Sequence, residues 1–127
     1  MNPNPGYIVE QQADYVLMHF QKVLAPDDFD RAVAALIDLV DHHQVKKLLL
    51  FTEVKFADVD PASRLEGMRV AQNFSKFDKI AVCATNPQEL KYLSSSTSLL
   101  ILSGVIKDPD NFKHFSDLAR AKRWIAA

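Results

Sequence analysis

Four consecutive apolar residues, Leu48-Leu49-Leu50-Phe51, close a segment that runs from Val45. A strand turns alternate side chains to opposite faces, so an uninterrupted apolar run asks for cover on both sides. Helices packed on a sheet provide that cover. Ile80-Ala81-Val82-Cys83-Ala84 makes the same demand a second time. Two strands of this kind in one chain point to a helix-flanked, mostly parallel sheet.

The remaining segments fit around those two strands. Tyr7-Ile8-Val9 and Tyr15 to Phe20 are β-rich and separated by Gln11-Gln12-Ala13-Asp14, which reads as a hairpin. Pro26, Asp27 and Asp28 suit a first helical turn, with Phe29, Val33, Leu36, Ile37 and Val40 forming one apolar stripe behind them. Asp60-Pro61 looks like a cap and first helical residue, for a helix reaching about Ser75 with Leu65, Met68, Ala71 and Phe74 inward. Asn86 opens another helix with Glu89 three residues on, and Gly104 is a natural stop. The run Ser94-Ser95-Ser96-Thr97-Ser98 weakens that helix, and Ser98 to Ile106 fits an extended segment as well. Phe112 to Phe115 is a short strand, and Ser116 is the expected cap of a last helix with Leu118, Ala121, Trp124 and Ile125 inward. The expectation is one α/β domain over residues 1–127, a mixed, mostly parallel sheet of about five strands with about four helices.

Composition narrows the function. The chain has 127 residues and a formal net charge of −1, so no global field recruits nucleic acid. A single cysteine, Cys83, rules out an internal disulfide framework and suits a reducing compartment. The opening MNPNPGYIVEQQ has no basic segment followed by a long apolar one, so no signal peptide is expected and the cytoplasm is the default location. With glycines only at Gly6, Gly67 and Gly104, neither a phosphate-binding loop nor a dinucleotide fingerprint is present.

The segment Leu50-Phe51-Thr52-Glu53-Val54-Lys55-Phe56-Ala57-Asp58-Val59-Asp60-Pro61 resembles the central motif of STAS domains, in which a strand ends in D-L-S-x-V-x-F-x-D-S-S-G and a helix begins at the serine pair. Thr52, Val54, Phe56 and Asp58 fit that pattern. The end of the chain, FSDLARAKRW from Phe115 to Trp124, resembles the SpoIIAA-like branch, and element order agrees over nearly the whole length. The resemblance implies a protein-interaction domain related to anti-sigma factor antagonists. In those proteins the serine after the aspartate accepts a phosphoryl group from a kinase. Val59 stands there in this chain, Asp60 replaces the second serine and Pro61 the glycine. Valine has no hydroxyl, so phosphoregulation at that position is expected to be absent. The docking corner implied by the family is Asp58, Val59, Asp60, Pro61 and Arg64, although a plain helix-capping role for Asp60 is the heavier expectation.

No catalytic set emerges. Glu53, Asp58 and Asp60 cluster near a strand end, but no histidine or lysine of the motif clearly pairs with them as a proton relay. Lys55 is the nearest. His42-His43 with Asp38 and Asp41 lacks the spacing of a metal site and reads as a solvated helix end. His19 and His114 read as structural histidines, and Cys83 as a buried inert thiol. Neither an enzyme, a cofactor nor a metal is expected. Two surface features remain. Leu99-Leu100-Ile101-Leu102, if helical, leaves some side chains facing away from the sheet. Arg69, Gln72, Asn73 and Lys76, with Arg64 and Lys79 nearby, make a polar and basic stripe suited to anionic headgroups. The SpoIIAA-like fold also resembles that of CRAL-TRIO lipid-binding domains. The second expectation is therefore a carrier of a hydrophobic small molecule or lipid, peripheral to the inner membrane face, with a groove lined by Met68, Phe74, Leu99, Leu100 and Ile101. Homodimerisation through the same apolar helix is a third.

Overall fold

The computed structural model describes residues 6–22, 24–54, 72–91, 101–104, 106 and 108–127. Five strands form one sheet in chain order: β1 (Tyr7–Gln12), β2 (Tyr15–Phe20), β3 (Lys47–Thr52), β4 (Lys79–Ala84) and β5 (Phe112–Phe115). β1 pairs with β2 antiparallel, and the other three pairings are parallel. This is the α/β architecture that the two apolar runs demand. The β1–β2 turn puts Ala13 at φ 52°, the positive value that tight hairpins require.

Helix α1 (Pro26–His43) crosses from β2 to β3 and packs on β1 and β2. It starts at Pro26, whose missing N–H costs nothing in the first turn, and carries Asp27 and Asp28 at the positive end of its dipole. Gln44 ends it in a left-handed conformation, its N–H donating to the Val40 carbonyl at 3.1 Å. Ala32, Val33, Leu36 and Val40 are buried against Val16, Met18, Leu48, Ile80 and Val82, and the core there extends to Phe74, Phe77, Ile106 and Phe112. Phe29 lies parallel to Phe20 with ring centroids 5.5 Å apart.

The opposite sheet face carries Tyr15, Leu17, Leu49, Phe51, Ala81 and Cys83. The last helix (Leu118–Ala126) covers it through Ala121 and Ile125, packing on β3, β4 and β5. Its cap is Asp117, whose side chain accepts from the Ala119 N–H at 2.9 Å, one residue beyond the expected Ser116. Asp117 directly precedes the first helical residue, Leu118, so its carboxylate reaches the N–H of the second, Ala119.

Between these elements the helical order is as expected where it is described. Residues 87–91 are helical after Asn86, whose side chain accepts from the Gln88 and Glu89 N–H groups. Ile101 and Leu102 are helical, and Gly104 stops that segment at φ 81° with its N–H on the Ile101 carbonyl. The helix expected from Pro61 lies outside the described residues apart from its end, which tightens into a 3-10 turn at Phe74–Lys76.

Leu36 has no exposed surface and sits centrally under α1. Leu36→Ala is expected to cost about 2–5 kcal/mol, read as a lower denaturant midpoint at unchanged slope. Asp117→Ala is expected to cost only about 1 kcal/mol in the same measurement.

Candidate docking site at the carboxyl ends of the parallel strands

Sites in open α/β sheets lie outside the carboxyl ends of the strands, where the strand order reverses. The described strands run in chain order without a reversal, so the character of this carboxyl rim rests on its own residues. Here that rim is formed by Phe20, Thr52 and Ala84, with Glu53 and Val54 leaving β3. The register sets His19 beside Phe51. Glu53 is two residues further along the same face. The outcome is a side-chain hydrogen bond across strands, His19 Nε2 to Glu53 Oε2 at 2.8 Å, with the imidazole 4.6 Å from the Phe51 ring. The Glu53 N–H donates to the Phe20 carbonyl at 2.9 Å, one residue past the ladder, and the Val54 N–H donates to Thr52 Oγ1 at 3.1 Å. Backbone and side chain together fix the direction in which the chain leaves the sheet.

His19 is the residue that sequence reasoning missed as a partner of the acid cluster. Its side chain is 16% exposed and that of Glu53 is 50% exposed, so the pair adds little to stability and mainly orients Glu53. The register of two parallel strands is the signal that joins them. A histidine held by a carboxylate resembles half of a catalytic relay. No third member is hydrogen-bonded to the pair among the described residues: Thr52, next to Glu53 in the chain, belongs to the other face and accepts from Val54.

The expected docking residues Asp58, Val59, Asp60, Pro61 and Arg64 lie outside the described residues, as do Lys55, Met68, Leu99 and Leu100. Phe74 is core: it is buried, its ring 5.6 Å from that of Phe112. Ile101 is 37% and Leu102 83% exposed, so this helical end does present aliphatic side chains to solvent. Of the basic stripe, Gln72 and Lys76 are exposed. Lys79 belongs elsewhere. Its ammonium donates to the Trp124 backbone oxygen at 2.6 Å and lies 4.5 Å from the centre of that indole, on the face covered by the last helix. Burial there lowers its pKa, with the Lys47 and Lys113 charges acting in the same direction.

The amino ends of the parallel strands are thus an anchor for the last helix. Lys47 donates to Asp14 at 2.7 Å and to the Ala127 backbone oxygen at 3.4 Å. That hydrogen bond holds the Asp14 carboxyl below its ordinary range. His42 Nδ1 meets Asp38 at 2.9 Å on an exposed helix end. No cluster of metal-ligating side chains occurs among the described residues, and no helix there is long and apolar enough to cross a membrane.

An α/β sheet with this strand order and an acid-bearing exit from its central strand is STAS-like. A model of the SpoIIAA-like family matches residues 16–126, leaving out β1, and the chain belongs to that family, which is generally non-catalytic. No curated protein is similar enough in sequence to match it.

Cys83 is buried in β4, and desolvation, aided by the Asp117 carboxylate, pushes its thiol up to about 11 from 9.0. A raised acidic group favours folding least where only the unfolded chain ionises. Stability should therefore fall as pH rises through the window from 9.0 to about 11. Cys83→Ala should remove that part of the slope in pH-dependent denaturation. At pH 8 the native thiol is expected to resist a maleimide that labels the unfolded chain promptly.

Proposed function

We propose that the chain is a non-catalytic interaction domain that docks a protein partner through the segment following β3, with Asp58, Val59, Asp60, Pro61 and Arg64 as contact residues. The observation that carries this reading is the pinning of Glu53 by His19 and by the Phe20 carbonyl, which launches that segment from a rigid strand end. A rigid exit lowers the ordering cost of docking. Membership of the SpoIIAA-like family supports the class, related to anti-sigma factor antagonists. Val59 offers no hydroxyl, and Asp58 and Asp60 carry permanent charge, so docking is constitutive and ungated by phosphoryl transfer at that position.

Incubation with ATP and an extract of the source cells, followed by mass spectrometry, is expected to leave Thr52 to Ser63 unphosphorylated. Immobilised protein should retain a partner from that extract, and Asp58→Arg or Arg64→Glu should weaken retention at least about tenfold through charge reversal at the contact. Stoichiometric phosphate on the segment, or equal retention by both variants, contradicts the reading.

The exposure of Ile101 and Leu102 favours a second reading, a carrier of a hydrophobic ligand that associates peripherally with membranes. Its groove would draw on Met68, Leu99, Leu100 and Ile101, and would reach Phe74 only if that core ring became accessible. Native mass spectrometry would then find a co-purifying lipid, and Leu102→Asp would abolish binding to anionic vesicles. A dimer by light scattering, dissociated by the same substitution and free of lipid, assigns the patch to self-association instead.

A further inference from the structure

We propose that the pocket between the Phe74 turn and the amino ends of β4 and β5 binds a small organic ammonium ion, an aryl or alkyl amine in its protonated form. This site lies at the opposite end of the strands from the docking segment and does not rest on the docking proposed above; it shares only Phe74 with the groove of the second reading.

The pocket encloses about 330 Å³. That is the lower end of the roughly 300–1,000 Å³ range of small-molecule sites. Its floor is apolar and mostly aromatic: Phe74, Phe77 and Phe112, with Ile80 and Ile106. All five are buried members of the core, so the floor is rigid. Phe74 and Phe112 meet at 57°, a corner rather than a closed stack.

The rim carries the charge. Asp78 and Asp108 line the mouth beside Ser75 and Asn111, and among the described residues no lysine, arginine or histidine lines it. Both acids are set by the fold. The Asp78 N–H donates to the Lys46 carbonyl at 2.7 Å, fixing the backbone where β4 begins. The Asp108 carboxylate accepts from the Asp110 N–H at 3.1 Å and from Asn111 Nδ2 at 2.9 Å, which holds it at the head of its turn. Lys79, adjacent to Asp78 in the chain, would neutralise the rim if it turned this way. It is held on the other sheet face by the Trp124 backbone oxygen and indole.

Aromatic walls attract cations through their ring quadrupoles, and carboxylates at the mouth add to that attraction. The two rim carboxylates disfavour anions such as fatty acids and phosphates. A neutral analogue gains the floor and loses the rim. The ligand class that uses both is a single-ring or short-chain body bearing one ammonium.

The test compares phenethylammonium, phenethyl alcohol and phenylacetate at constant salt, monitored by amide shifts of the uniformly ¹⁵N-labelled chain. Phenethylammonium is expected to shift Phe74, Ile80 and Phe112, with an affinity at least about fivefold above the alcohol, as one partly desolvated cation–π contact provides. Phenylacetate should be the weakest. Asp78→Asn, on an exposed side chain, should remove most of the preference for the cation while leaving alcohol binding unchanged, and Asp108→Asn, whose single amide oxygen can still accept from the Asp110 N–H, should do the same. Equal binding of cation and alcohol, shifts confined to other parts of the sheet, or no shifts at millimolar ligand overturns the proposal. So does an undiminished cation preference in the double Asn variant.

Discussion

The parallel pairing of β3 with both β2 and β4 is the constraint on which the rest depends. It places Leu48 and Leu50 on one face and Leu49 and Phe51 on the other, so neither side of the strand can be left wet. The first face is sealed by α1 and by residues of the later crossovers, the second by the last helix. Parallel neighbours also align strand ends, which gives the molecule two rims of different character.

At the amino rim, the lysines that open β3 and β4, Lys47 and Lys79, are adjacent in register. Their mutual repulsion is offset by Asp14, the backbone oxygens of Trp124 and Ala127, and the indole face. That arrangement locks the last helix and has a structural purpose. It also holds the Lys79 ammonium away from its chain neighbour Asp78. At the carboxyl rim, β3 releases the chain through Glu53 under the control of His19. Glu53 is half exposed there and lies just beyond the end of β3 at Thr52. The family assignment and the sheet topology agree on a SpoIIAA-like scaffold.

Much of the fold was legible because it rests on local signals. Apolar runs marked β3 and β4, Pro26 with two aspartates marked the start of α1, and Gly104 marked a stop that the structure places at a positive φ. The cap of the last helix was read one residue early because serine and aspartate stand side by side at 116 and 117 and both are good caps. What stayed hidden depends on strand neighbours. Nothing local to Glu53 indicates that His19, distant in sequence, lies against it, and nothing local to Lys79 shows that its ammonium turns to Trp124 rather than joining Lys76. Phe74 illustrates the same limit: helical spacing marked it as inward, and only the sheet shows that its partner is Phe112.

The central claim is that the segment after β3 leaves a fixed strand end, and amide hydrogen exchange at Glu53 tests it most directly. The account predicts protection comparable to Leu49 in mid-strand, because the Glu53 N–H is bonded to the Phe20 carbonyl, and a reduction of up to about fivefold in that protection on His19→Ala, as suits a part-exposed pair, with Leu49 unaffected. Exchange at the rate of an open loop in the native chain, or protection indifferent to His19, would contradict it.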